Sequence, residues 1–383
     1  MAGIGKADYR QTLCAVPRLK RFQKISISFK SPVTRRNPPP KPGAMATNSR
    51  PSVQDVARLA GVAIGTVSNV LNNPEKVRAE TIERVNLAIS QLGFVRNDAA
   101  RQLKAGKSQT VGLVVLDSTN PFFGQLARGA EDTAMERGLS LILGNSGNYV
   151  DRERKYLNLF EQQRMAGVLV SPAGEPTQLV AELQAKGLNV VLVDAQAEAA
   201  MCCSVGVDDV AGGRAAAKHL LQQGKRNLAF VGGPLSTKQV ADRLLGAREA
   251  VTASAGAKIS VLQTTAMTVL AGRAVGEDIL AMEPAERPDA IFAANDLIAV
   301  GLLQALVFNS QIRVPQDMAI IGYDDIDFAA TAIVPLSSIR QPAEAIGATA
   351  LELLVEEIDN PEGHVHRHVM FQPELVARAS THA

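Results

Sequence analysis

The chain has 383 residues, 46% of them apolar and 20% charged, enough to bury a large core and to build more than one domain. Its net charge of +2 conceals an asymmetry: residues 1–50 carry 11 Lys and Arg against one acid, residues 51–108 carry 8 against 5, and residues 109–383 carry 21 against 32. A basic front end of this kind suits a polyanion, while the absence of any run of about 18 apolar residues excludes a membrane-spanning helix.

Cysteine usage is sparse. Cys14 and the adjacent Cys202 and Cys203 give no bridging pattern, so a reducing cytoplasm is the expected compartment. In chain order, the run Arg35-Arg36-Asn37-Pro38-Pro39-Pro40-Lys41-Pro42-Gly43 admits neither helix nor inner strand, and no apolar stretch before it is long enough for a signal peptide. Residues 1–50 are therefore expected to be a disordered basic extension. They read either as an arm that adds nonspecific phosphate contacts or, the favoured reading, as an extension without function ahead of a native start at Met45.

Ser52 with Asp55 three positions on is a capping-box-like helix start, and Val56, Ala57, Leu59 and Ala60 supply one apolar face. Gly61 breaks that helix. A second resumes about three residues later with Thr66, Val67, Val70 and Leu71 at helical spacing, and Val62, Val67 and Val70 point to a shared core. Two short helices joined by a tight glycine turn form a helix-turn-helix, the pattern of a double-stranded DNA reader. A third helix from Ala79 to Leu92, with Ile82, Val85, Ile89 and Leu92 on its inner stripe, closes the small domain over residues 51–96. Asn97 to Ala105 is a short helical run with Asn97 as N-cap candidate and Ala99, Ala100 and Leu103 at helical offsets, too short to be stable alone in water.

Asp55-Val56-Ala57, Ala60-Gly61-Val62, Thr66-Val67-Ser68 and Val70-Leu71-Asn72, followed by Gly93-Phe94 and Asn97 to Leu103, resemble the DNA-binding head of the lactose-repressor (LacI/GalR) family. The resemblance runs to about Ser380. It implies a dimeric, ligand-controlled transcription factor whose body resembles a periplasmic sugar-binding protein. It also implies that Ile64, Gly65 and Asn69 read bases and that Thr66 and Ser68 contact phosphates. Hinge residues 97–108, with Asn97, Ala100 and Leu103, would meet the minor groove, Leu103 as a wedge. Two departures stand out: Asn69 replaces a common arginine, which predicts an altered half-site, and Ala63 replaces the usual N-cap serine.

From Gln109 apolar runs alternate with amphipathic helices. Strands are expected at Val111–Leu116, Leu139–Leu143, Gly167–Val170, Val190–Val193, Leu228–Val231, Ile291–Ala293 and Met318–Ile321, a βαβ alternation that argues for parallel sheets covered on both faces. The expected fold class is thus an all-α helix-turn-helix head with a hinge helix, followed by a two-lobed α/β domain over residues 109–380. The resemblance implies one lobe from about 109–206 and 340–364 and a second from about 207–338 and 366–380. Ligands of such sheets sit outside the carboxyl ends of the strands, here the cleft between lobes.

Polar groups stand at those strand ends: Asn120 with Phe122 and Phe123, Asp194, Asn295 and Asp324. By family correspondence Arg243, Met267 and Gln341 join them. Carboxylates and amides pair with adjacent hydroxyls, Arg adds a charged donor, and Phe covers apolar C–H faces, which suits a small carbohydrate effector. Taken singly, Asp194, Asn295 and Asp324 read equally well as helix N-caps, and the two Phe as core. Ala195 where ribose-type sites often have Arg, and Met267 where an aromatic wall is expected, leave the sugar open. Val231-Gly232-Gly233-Pro234 is a turn and no phosphate loop or dinucleotide motif follows a strand, so no cofactor is expected. His364, His366 and His368 suit one face of an edge strand, and no dedicated metal site is expected there. The chain stops soon after Pro373-Glu374-Leu375 without a leucine-rich segment, so a homodimer is expected rather than a tetramer. The reading is a cytoplasmic, non-enzymatic repressor on a palindromic operator. A sugar-binding transport component, an α/β enzyme and a corepressor-dependent regulator are the alternatives.

Overall fold

The computed structural model describes residues 51–95, 108–196, 201–309 and 311–382. The basic extension and the expectations for Asn97, Ala100 and Leu103 lie outside them. Two compact units divide between Arg96 and Asn97.

In the first unit, helix α1 (Val53–Ala60) begins with a complete capping box: the Asp55 amide bonds to Ser52 Oγ at 3.3 Å, and the Ser52 amide to Asp55 Oδ2 at 3.0 Å. It ends at Gly61 in the left-handed region, φ 64°, which costs glycine no Cβ clash. Helix α2 (Ile64–Asn72) starts from an extended Ala63 without a side-chain cap, as the missing serine implied. Helix α3 (Ala79–Leu92) stops at Gly93. Val56, Ala57, Ala60, Val67, Val70, Val85, Ala88 and Phe94 form the buried core, with Ile82, Ile89 and Leu92 partly buried around it. Leu59, assigned to the apolar face, is half exposed, because α1 is too short to bury more than its Val56, Ala57 and Ala60 side.

The second unit holds two six-stranded sheets. The first comprises β1 (Thr110–Val115), β2 (Ser140–Asn145), β3 (Gly167–Val170), β4 (Asn189–Val193), β5 (Cys203–Val207) and β11 (His368–Phe371), ordered β11-β5-β4-β3-β1-β2 and parallel throughout. The second comprises β6 (Asn227–Gly232), β7 (Lys258–Gln263), β8 (Ala290–Ala293), β9 (Ala319–Asp324), β10 (Ser337–Arg340) and β12 (Glu374–Val376), ordered β12-β10-β9-β8-β6-β7. Only β12 runs antiparallel to its neighbour. Central strands are fully buried Val, Leu, Ile and Phe runs, as two covered faces require.

Helices α4 (Pro121–Glu136), α5 (Val150–Gln162), α6 (Pro176–Ala185) and α12 (Ala343–Asp359) belong to the first lobe, and α7 (Asp209–Gln222), α8 (Lys238–Thr252), α9 (Val269–Ala281) and α10 (Asp296–Asn309) to the second, with the short α11 (Asp327–Thr331) after β9. Helices α7 and α8 cross backbone to backbone. A Cβ on Gly213 would lie 1.9 Å from the Arg243 carbonyl oxygen, and one on Gly246 1.9 Å from that of Val210, so the crossing tolerates no side chain at either point.

The chain passes between sheets after Val207, after Arg340 and after Phe371. The last crossing corrects the expectation that 366–380 lies wholly in the second lobe: His368–Phe371 pairs with β5 in the first. His364 and His366 precede that edge strand, and only His368 is in it.

Candidate functional site

Helix α2 presents Ile64, Gly65 and Asn69 to solvent, while Thr66 and Ser68 are half-buried beside the core residues Val67 and Val70. Periodicity dictates this division, because positions 67 and 70 face inward and 65 and 69 then face out. Nothing lies within 4 Å of where a Gly65 Cβ would stand. Asn72 donates from Nδ2 to the Ser68 carbonyl at 2.7 Å, holding the end of the helix. No side chain caps the start of α2, so its first backbone N–H groups are left without a side-chain acceptor.

The second constellation gathers at the carboxyl ends of the body's strands. Asp324 ends β9, and its Oδ2 accepts from Asn120 Nδ2 of the first lobe at 2.9 Å while its Oδ1 accepts from Gln341 Nε2 at 2.8 Å. Arg243 from α8 donates from Nε to Asp209 Oδ1 at 2.8 Å and from Nη1 to the Ala294 carbonyl at 2.8 Å, with Asp324 Oδ1 3.8 Å away. Its guanidinium carbon lies 3.7 Å from the Tyr323 ring centroid. Asp194, following β4, accepts from Gln239 Nε2 of the second lobe at 3.1 Å. Asp194 (φ 54°) and Asp324 (φ 103°) both hold positive φ, a strain that surrounding contacts must over-determine.

Asn120–Asp324 and Asp194–Gln239 tie the lobes together directly, and Leu297 and Ile326 of the second lobe share one buried cluster with Phe122 and Phe123. Those two rings, 5.0 Å apart edge to face, are buried in that shared cluster. Asn120 caps α4 through the Phe122 amide at 3.1 Å yet keeps its Nδ2 for Asp324. Asn295 uses both amide atoms locally: Oδ1 caps α10 at the Ile298 amide and Nδ2 donates to the Met267 carbonyl. Asp194 and Asp324, by contrast, cap no helix among the described residues.

Four carboxyl groups, Asp194, Asp209, Asp296 and Asp324, are buried here with one guanidinium. Burial pushes Asp194 well above the ordinary carboxyl range, helped by the charge of Asp209 and opposed by Arg243. Burial likewise raises Asp324 and, strongly, Asp296. Burial alone would lower the Arg243 pKa, but Asp209 and then Tyr323, Asp324 and Asp194 hold it above its usual value, so it stays charged.

A family model for bacterial regulatory proteins of the lacI family matches residues 52–97, and one for a periplasmic binding protein-like domain matches 217–381. The HTH-type transcriptional repressor PurR of Vibrio atlanticus (strain LGP32) is 32% identical over 336 residues, covering 86% of this chain and 98% of that protein. The chain belongs to the lacI family. A transcriptional regulator CelR–cellobiose complex is similar at 31% identity and a TM-score of 0.63, over 86% of this chain and all of that one (100%). The lac repressor dimer bound to operator and the anti-inducer ONPF shares the fold, with 24% identity and a TM-score of 0.74 over 88% of this chain and 100% of that one.

As a lacI-family member the chain is a DNA-binding transcription regulator whose relatives are repressors. No helix among the described residues is long and apolar enough to cross a membrane. Sequence reasoning missed Asp209, Gln239, Ser171, Thr264 and Tyr323 in the lacI-family body. Ser171 directly follows β3, so the strand-end signal that picked out Asp194 would have found it too, whereas Thr264 follows β7, a strand the sequence reading did not place.

The raised Asp194 pKa has a sign. Between the ordinary value of 3.8 and its raised one, the folded lacI-family body keeps a proton that the unfolded chain has released, so stability falls as pH rises through that window. Asp194→Asn is expected to flatten this fall. Urea denaturation of wild type and variant at about pH 5 and about pH 8 measures it, and equal pH dependences would refute it.

Proposed function

We propose that this regulator is a cytoplasmic repressor that binds a palindromic operator as a homodimer and responds to a small, neutral carbohydrate held between the lobes. The observation that carries the effector reading is a set of buried polar atoms at strand ends that have no hydrogen-bond partner among the described residues: Ser171 Oγ, Asp194 Oδ1, Thr264 Oγ1 and Gln341 Oε1. Buried polar atoms are rarely left unmade, because each costs about 1–3 kcal/mol. Four buried carboxyl groups around one Arg offer paired oxygens to adjacent hydroxyls, which favours a polyol. CelR in complex with cellobiose is consistent with that class.

Asn120, Asp194, Arg243, Asp324 and Gln341 would contact the hydroxyls, while Asn295 and Met267 shape the second-lobe wall and Phe122 and Phe123 back the first. In the head, Ile64, Gly65 and Asn69 read bases and Thr66 and Ser68 contact phosphate. Control follows from linkage: a ligand that replaces the Asn120–Asp324 and Asp194–Gln239 bridges changes the spacing of the lobes and shifts operator affinity by its differential affinity, about 1–3 kcal/mol. A thermal-shift screen of neutral sugars, sugar acids, sugar phosphates and nucleobases tests this, each hit being repeated in an operator-binding titration that also reads whether it induces or corepresses. Neutral sugars are expected among the hits. A hit list of anionic ligands alone overturns the reading.

A further inference from the structure

At the edge of the first sheet three metal-ligating side chains converge. Cys203 opens β5 and is buried; His364 and His366, each half-buried, lie in the segment leading into β11. The parallel register His368↔Ser204 lays that segment beside the start of β5. Cys203 Sγ is thereby 3.1 Å from His364 Nε2 and 3.9 Å from His366 Nδ1, and all three donor atoms lie within 4.8 Å of one another. Tetrahedral zinc with Zn–S of about 2.3 Å and Zn–N of about 2.0–2.1 Å sets sulfur and nitrogen about 3.5 Å apart, between the two observed distances.

The surroundings fit as well. Arg367 donates its backbone N–H to Cys203 Sγ at 3.3 Å, the outer support a bound thiolate needs. His368 is engaged elsewhere, through Nδ1 to Ser204 Oγ at 2.6 Å. Among the described residues, Glu357 Oε2 is buried with no hydrogen-bond partner. His364 also lines a surface hollow of about 560 Å³ together with Glu356, Asn360 and Arg367, which gives an ion a path from solvent.

We propose that Cys203, His364 and His366 form a zinc-class metal site, one thiolate and two imidazoles with the fourth position open to solvent. The Cys203 S–H proton leaves to solvent as the S–metal bond forms. The ion would clip the start of β5 to the approach to β11, the strand after which the chain crosses to the second lobe. This site is separate from the cleft and does not depend on the effector reading.

The test uses full-length, tag-free protein stripped with chelator and titrated with Co(II), then Zn(II). A thiolate-to-cobalt charge-transfer band that zinc abolishes is expected, and Cys203→Ser should remove it. The His364→Gln/His366→Gln double variant, at half-exposed positions that leave the core intact, should weaken zinc binding by more than about 100-fold, since outer-shell partners alone are worth about 10–100-fold. Operator binding by each variant verifies folding, and if Cys203→Ser fails it the double variant decides. No charge-transfer band in wild type, a band that survives Cys203→Ser in folded protein, or unchanged zinc affinity in the double variant overturns the site.

Discussion

Replacing Arg243 with methionine is expected to cost the body about 3–5 kcal/mol of stability, the range for removing one partner of a buried ion pair. Methionine keeps most of the stem's volume, so packing is not the main loss. What disappears is the partner of Asp209 at 2.8 Å, the donor to the Ala294 carbonyl and the cation over the Tyr323 ring, all at a site only 4% exposed. Asp209 would be left as a buried charge with its nearest cation gone, and it would take up a proton rather than stay ionised. Adding Asp209→Asn should therefore recover part of the loss, because the two changes share one interaction and are not additive. Urea denaturation of the two single variants and the double one measures this. A single-variant cost below about 1 kcal/mol would mean that the pair contributes little and that the cluster is held by backbone packing at the α7–α8 crossing.

The head was legible because its signals are local. Ser52 and Asp55 announce the first cap, Gly61 the turn, and the apolar period assigns the two faces of α2 without knowledge of the body. The central strands were legible for a different reason: a strand covered on both faces must be an uninterrupted apolar run, and β3 was placed at both ends by that rule alone. Of the described strands, β5, β7, β10, β11 and β12 were not found, although the edge strand β2 was. β7 alternates half-buried Ile259 and Val261 with exposed Lys258 and Ser260, β12 has three residues, and β5 reads Cys-Ser-Val-Gly-Val, whose burial depends on neighbours rather than composition.

The cleft was legible as a set of strand ends but not as a network. Asp194 meets Gln239 across 45 residues and Asn120 meets Asp324 across 204, so no local pattern links them. Phe122 and Phe123 show the converse: Asn120 as cap with Pro121 behind it starts a helix whose first turn turns its rings inward, which an aromatic at a strand end does not reveal. Cys203 and His364, 161 residues apart, meet only through the parallel register of β5 and β11.

Substituting Asn69 by arginine is expected to move the preferred base at one position of each half-site from adenine to guanine. Asn69 is exposed on α2 between the buried Val67 and Val70, so the exchange changes what the helix presents and leaves its packing alone. An asparagine amide pairs with adenine N6 and N7, whereas a guanidinium pairs with guanine O6 and N7, each worth about 1–3 kcal/mol of discrimination. On a palindrome read by two heads the change enters twice, so the symmetric switch should reach about 2–6 kcal/mol, more than any single phosphate contact could supply. Asn69→Ala should relax the choice without creating a new one. Selection of binding sites from a randomised operator library, followed by titrations at fixed salt, reads both outcomes. If the arginine variant weakened every sequence equally, Asn69 would be a phosphate contact or a bystander, and base reading would pass to Ile64 and the groove shape instead.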